Sequence, residues 1–145
     1  MPKFEPKNIQ KELEAGFLWP VYWIYGPEKM KTRELIKRIE KTLETRPQTL
    51  DATTVSAAEI TDSAQSLLLG GGIRFLVIQD AHAIKNPEPL EALFAHSTQS
   101  KAIKKEELPH VCVFISKDLD QRKKFSKRLI EKAACVSCDE VPEQD

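Results

Sequence analysis

Apolar and polar positions along the chain fall into two rhythms. Residues 20–25 (Pro-Val-Tyr-Trp-Ile-Tyr), 75–78 (Phe-Leu-Val-Ile) and 110–116 (His-Val-Cys-Val-Phe-Ile-Ser) are nearly continuous apolar runs. Such runs are expected of strands buried on both faces of a parallel sheet. Shorter strand candidates are 48–52 and 135–138. The stretches between them have a helical period. In 6–15, Ile9 and Leu13 pair at i, i+4 before Gly16. In 28–45, Leu35, Ile36, Ile39 and Leu43 share one face, with Lys and Arg opposite. The pattern predicts further helices over 54–69, 90–96 and 119–134, with Ser56 as N-cap ahead of Glu59. Residues 97–109 are polar and basic and read as an exposed loop. Five strands alternating with crossovers long enough for a helix predict an α/β fold: a five-stranded, mainly parallel sheet flanked by helices on both faces.

Breakers mark the joints. Gly26-Pro27 closes the first long strand, Pro47 ends the helix that follows, and Pro87 and Pro89 punctuate the chain after the third strand. Gly70, Gly71 and Gly72 separate Leu67, Leu68 and Leu69 from the strand starting at Arg74. The three leucines therefore sit where a helix ends and the chain must turn.

Composition narrows the function classes more than it selects one. The chain has 145 residues, 41% of them hydrophobic and 30% charged, a length suited to one domain. Lys plus Arg and Asp plus Glu each number 22, so net charge exerts no general pull toward nucleic acid or membrane. No apolar run approaches the ~20 residues that span a bilayer, and the polar N-terminus has no signal-peptide core. Three cysteines without framework spacing favour a reducing cytosol. Cys135 and Cys138 form a C-x-x-C pair, but structural zinc needs four ligands. They read instead as small buried residues on a sheet. His82, His96 and His110 have no triad or metal-ligand spacing. The expectation is therefore no catalytic residue, no metal and no cofactor.

The loop after the first long strand is where phosphate binds in doubly wound folds. Here it reads Gly26-Pro27-Glu28-Lys29-Met30-Lys31-Thr32. Gly26, Lys31 and Thr32 match parts of the phosphate-binding G-x-x-x-x-G-K-[ST] loop. The second glycine is missing, however, the spacing is one residue short, and Glu28 brings a negative charge. Leu76-Val77-Ile78-Gln79-Asp80 is an imperfect version of the apolar strand ending in a magnesium-binding Asp, and Ala81 stands where an ATPase keeps a Glu. Two weakened nucleotide motifs in the right order suggest the architecture without the catalysis. A further candidate surface is basic: Arg122, Lys123, Lys124, Lys127, Arg128 and Lys132 against the single acid Glu131. It suits a solvated helix face, or contact with DNA phosphates or an acidic partner.

Taken in order, these pieces resemble the N-terminal domain of the delta subunit of the bacterial DNA polymerase III clamp loader. The residues that carry the resemblance are Pro20 to Gly26 with Glu28, Glu34-Leu35-Ile36, Asp51-Ala52 and Leu68-Leu69-Gly70. They continue with Arg74 to Ile78, Asp80-Ala81, and the run Leu119-Asp120-Gln121-Arg122-Lys123-Lys124-Phe125-Ser126-Lys127-Arg128-Leu129. The resemblance implies an AAA+ fold with degenerate nucleotide motifs that does not bind ATP. It implies binding to the sliding clamp through an apolar pair, matched here by Leu68 and Leu69 where the family usually has Leu-Phe, with Leu67 as the alternative register. It further implies a cytoplasmic protein of DNA replication, with other clamp-loader subunits and DNA as further partners. The family's lid and collar domains have no counterpart in residues 1–145, which read as a single domain. The competing expectation from the residues alone is a divergent P-loop ATPase or phosphotransferase using Lys31, Thr32 and Asp80.

Overall fold

The computed structural model describes residues 3–66, 73–96, 102–108, 110–117 and 134–138. In chain order the elements are β1 (Lys3–Phe4), α1 (Pro6–Glu14), β2 (Phe17–Leu18), β3 (Val21–Tyr25), α2 (Lys29–Leu43), β4 (Gln48–Asp51), α3 (Ala57–Gln65) and β5 (Arg74–Gln79), followed by β6 (Ile103–Lys104), β7 (His110–Ser116) and β8 (Ala134–Ser137). Residues 81–83, 88–96 and 105–107 form 3-10 turns. The five expected strands are all present in one sheet, with the two-residue β1 added as a sixth at one edge. The order is β1-β8-β3-β7-β5-β4, and every pairing is parallel.

Strand alternation divides the interior into two cores. Tyr22 and Ile24 of β3, Phe75 and Val77 of β5, and Val111 and Val113 of β7 face one side. There they meet Ile9 and Leu13 of α1 and Leu35, Ile39 and Leu43 of α2. Val21 and Trp23, Leu76 and Ile78, and Cys112 and Phe114 face the other side, against Ala57, Ile60 and Ala64 of α3 and Leu90 and Leu93. Trp23 and Phe114 stack there with centroids 5.0 Å apart, a pairing that adds about 0.5–1.5 kcal/mol to plain burial. The central positions of each long strand therefore had to be apolar on both faces, which is why its sequence runs instead of alternating.

Local signals set the helix ends. Ser56 accepts the Glu59 amide and Glu59 returns the bond to the Ser56 amide, so the expected cap forms. That helix is shorter than its periodicity predicted: it covers Ala57–Gln65, and Ser66 is already extended. The Thr61 hydroxyl bonds the carbonyls of Ala57 and Pro89, tying α3 to the 3-10 turns beyond β5. A second difference falls in the expected loop 97–109. Its described part holds β6 and a 3-10 turn, because β6 pairs antiparallel with β2 as a separate two-stranded ribbon.

Candidate functional site

The sequence-predicted site residues that are described gather near the C-terminal end of the sheet. At the C-terminal end, β3 leads through Gly26, Pro27 and Glu28 into α2. β8 lies on one side of β3 and β7 on the other, so this is a switch point of the kind where doubly wound sheets bind ligands. Gly26 has φ +121°, and a Cβ on it would stand 2.5 Å from the Cys138 carbonyl oxygen. The end of β8 is thus packed directly onto the loop. The Gly26 amide donates to the Lys117 carbonyl at 3.1 Å, and the Glu28 amide donates to the Cys138 carbonyl at 3.0 Å. Cys138 in turn donates to the Tyr25 carbonyl at 2.7 Å. The Glu28 carboxylate caps α2, accepting the Met30 amide at 3.1 Å. A phosphate-binding loop works by offering amides to an anion. Here the Gly26 and Glu28 amides are bonded to chain carbonyls, and the helix start already has its own carboxylate.

Gly26, Thr32 and Asp80 nonetheless line one pocket of about 410 Å³, together with Lys29, Arg33 and Lys117. Lys31 is not among the lining residues. On a helix, residues 29, 32, 33 and 36 share a face at i, i+3, i+4 and i+7, whereas residue 31 points elsewhere. Motif matching selected Lys31; helical spacing would have found Lys29 and Arg33. Thr32 is buried, and its hydroxyl donates to the Glu28 carbonyl at 3.3 Å. Asp80 is exposed and left-handed, with φ 53°, where its carbonyl accepts the Ala83 amide at 2.9 Å. A larger groove of about 620 Å³ between residues 52–59 and 83–89 contains none of the predicted site residues.

Leu67, Leu68, Leu69 and the three glycines lie outside the described residues. They are bracketed by Ser66, at the end of α3, and by Ile73, which packs against the core just before β5. The N-terminal end of the sheet carries the β2–β6 ribbon. Leu18 faces the core and is fully buried, while its neighbour Phe17 is 36% exposed opposite Lys104. A chain of side-chain bonds braces the corner behind it. The Trp19 indole donates to Glu12 at 3.0 Å, and the Trp19 amide donates to the Tyr22 hydroxyl at 3.0 Å. Burial raises the Glu12 carboxyl above its ordinary value, and the bond from Trp19 only partly offsets this. Burial likewise pushes up the Tyr22 phenol and the Cys112 thiol.

Cys135 and Cys138 are buried in opposite cores, as residues three apart on a strand must be. That matches their reading as small core residues. Arg122, Lys123, Lys124, Lys127 and Arg128 lie outside the described residues. No helix among the described residues is long and apolar enough to cross a membrane.

The fold defines a class: a doubly wound parallel α/β domain. Among solved structures, the Bacillus subtilis DNA clamp loader delta protein (YqeN) has this fold. The two superpose with a TM-score of 0.74 at 21% sequence identity, over 96% of this chain and 44% of that one. The chain thus spans less than half the length of the protein it matches, and the resemblance read from sequence motifs recurs in three dimensions. No protein-family model matches the sequence, and no curated protein does.

Proposed function

We propose that this domain is a clamp-loader component of DNA replication that binds the sliding clamp through Leu68 and Leu69 and does not hydrolyse ATP. The observation that carries the reading is the shared fold with a DNA clamp loader delta protein over nearly the whole chain. The committed amides at Gly26 and Glu28 support the second half of it. In the delta-type reading, residues 1–145 are the N-terminal domain of that architecture, and the apolar pair enters a pocket on the clamp and holds one ring interface open. Burying both leucines supplies roughly 3–6 kcal/mol before association costs. Residues 122–132 then offer phosphate or partner contacts, and no cofactor takes part.

The test is a titration of the full chain with the purified sliding clamp. Leu68→Ala combined with Leu69→Ala is expected to weaken binding by about 100-fold or more while leaving Tm nearly unchanged. A collapse in Tm would instead place the leucines in the core. The pocket that joins Gly26, Thr32 and Asp80 to three cations favours a second reading, a divergent P-loop enzyme. Calorimetric binding of ATP–magnesium, lost in Lys29→Ala combined with Arg33→Ala, would establish that reading and overturn the first.

A further inference from the structure

The pocket at the C-terminal end of the sheet carries a charge imbalance that its backbone bonds do not explain. Three of its lining residues are cations, Lys29, Arg33 and Lys117, and one is an acid, Asp80, which leaves a local formal charge of +2. The whole chain has a net charge of zero. Among the described residues, none of the three cations forms an ion pair with an acid. The concavity at the other end of α2 is different. There Glu40 and Glu44 sit among Lys37, Lys41 and Arg46, and Glu44 also meets Lys105 at 3.3 Å.

The three cations come from separate parts of the chain, and bonds along the backbone fix where each one starts. Lys29 and Arg33 lie one turn apart on the same face of α2, about 6 Å along its axis. The first turn of that helix is set by the Glu28 cap and by the Thr32 hydroxyl, which donates to the Glu28 carbonyl at 3.3 Å. Lys117 follows directly on β7, and its carbonyl accepts the Gly26 amide at 3.1 Å. That bond ties the end of β7 to the loop that begins α2. Ile36 and Ile115, both half-buried, supply an apolar part of the lining. A concave site lined mainly by one sign of charge focuses the field and concentrates counter-ions.

From this we infer that the pocket is an anion site worked by side chains. Lys29, Arg33 and Lys117 hold a single phosphate group as its dianion, either free phosphate or the end of a small phosphomonoester. Such a group carries about −1.5 to −2 charge at neutral pH, which matches the lining, whereas a carboxylate carries half of that. Arg offers a planar fork for two phosphate oxygens, and Lys adds point charges. A triphosphate needs more, because its loop wraps it with backbone amides. The Gly26 and Glu28 amides are already bonded to the Lys117 and Cys138 carbonyls. The inference is independent of the clamp-binding reading, and it differs from the nucleotide reading in the role of Asp80. Toward a lone phosphate Asp80 is a repelling charge; toward a magnesium nucleotide it is a metal ligand.

The experiment titrates inorganic phosphate and phenyl phosphate into the full chain by calorimetry, without magnesium and with chloride holding the ionic strength constant. Saturable binding is expected, weakened about tenfold in Arg33→Ala and in Lys117→Ala and unchanged in Lys37→Ala, which removes the same charge elsewhere on α2. All three side chains are exposed, so these variants keep the fold. Asp80→Asn is expected to tighten phosphate about threefold by removing the repelling charge, and Asn tolerates the left-handed backbone there. Tighter binding of phenyl phosphate supports a monoester whose body lies on Ile36 and Ile115; equal or weaker binding supports free phosphate. No saturable binding, an equal loss in Lys37→Ala, weaker binding in Asp80→Asn, or ATP–magnesium bound more tightly than phosphate overturns the inference. Clamp affinity of the same variants is read separately, so failure of the phosphate site leaves the clamp-binding reading standing.

Discussion

The two ends of the sheet are opposites. At the C-terminal end the chain binds itself: β8 ends on Gly26, the Cys138 and Lys117 carbonyls take loop amides, and Glu28 caps α2. At the N-terminal end α3 stops at Gln65 and a two-stranded ribbon keeps Phe17 at its surface. The difference teaches where each end can act. Where backbone groups are already paired, substitution changes stability. Where an apolar side chain stays at the surface, as Phe17 does, substitution is expected to leave stability nearly unchanged.

The largest expected effect that tests this contrast is Gly26→Ala. A methyl group there meets the Cys138 carbonyl at 2.5 Å on a backbone with φ +121°. The expected loss is about 2–5 kcal/mol, seen as a clear drop in Tm, while the molecules that remain folded keep their affinity for the clamp. A normal Tm would mean that β8 does not seal the loop. The double leucine variant should behave in the reverse way, losing binding and keeping Tm.

A smaller effect is expected from Tyr22→Phe, which takes from the Trp19 amide its 3.0 Å acceptor behind the ribbon. The cost of about 1–2 kcal/mol should appear in chemical denaturation, with clamp affinity following only through the folded fraction. If clamp affinity fell further than that fraction, the N-terminal end would be responding as a braced unit.

The smallest effect is in pH dependence. Glu12 is raised above its ordinary 4.5 by burial, with the Trp19 bond opposing. Its proton is held more tightly in the folded state than in the unfolded chain. Ionising it therefore costs stability as pH rises from 4.5 through the raised value, and the protein is relatively better off below that window. Glu12→Gln should flatten this loss and raise Tm slightly at neutral pH. Asp51 has the opposite sign: bonds from the Thr53 hydroxyl and amide hold it below its ordinary 3.8. Its contribution is present above 3.8 and disappears as pH falls through the lowered value. Tm against pH for Glu12→Gln and Asp51→Asn separates the two.

Much of this was legible in the residues themselves. The apolar runs located β3, β5 and β7, the helical spacing of Leu35, Ile36, Ile39 and Leu43 located α2, and the Ser56–Glu59 pair located the start of α3. The site was less legible. Gly26, Thr32 and Asp80 share a pocket as the motif order suggested, yet Lys31 does not line it, because a motif counts residues along the chain and a helix arranges them every 100°. The contact of Cys138 with Gly26 had no signal in the sequence, since most of the chain lies between the two. The β2–β6 pairing was hidden for a similar reason: two residues per strand carry no period.

The sequence by itself determined the class of fold and its two cores. Burial on both faces of a parallel sheet demands a composition that can be read without coordinates. It also showed that the loop after β3 lacks the second glycine of a phosphate-binding motif, which is visible in one dimension. Only the tertiary structure decided which groups fill the loop, which cations share its pocket and which aromatic stays outside. These are consequences of strand order and register, by which residues distant in the chain come within one hydrogen bond of each other.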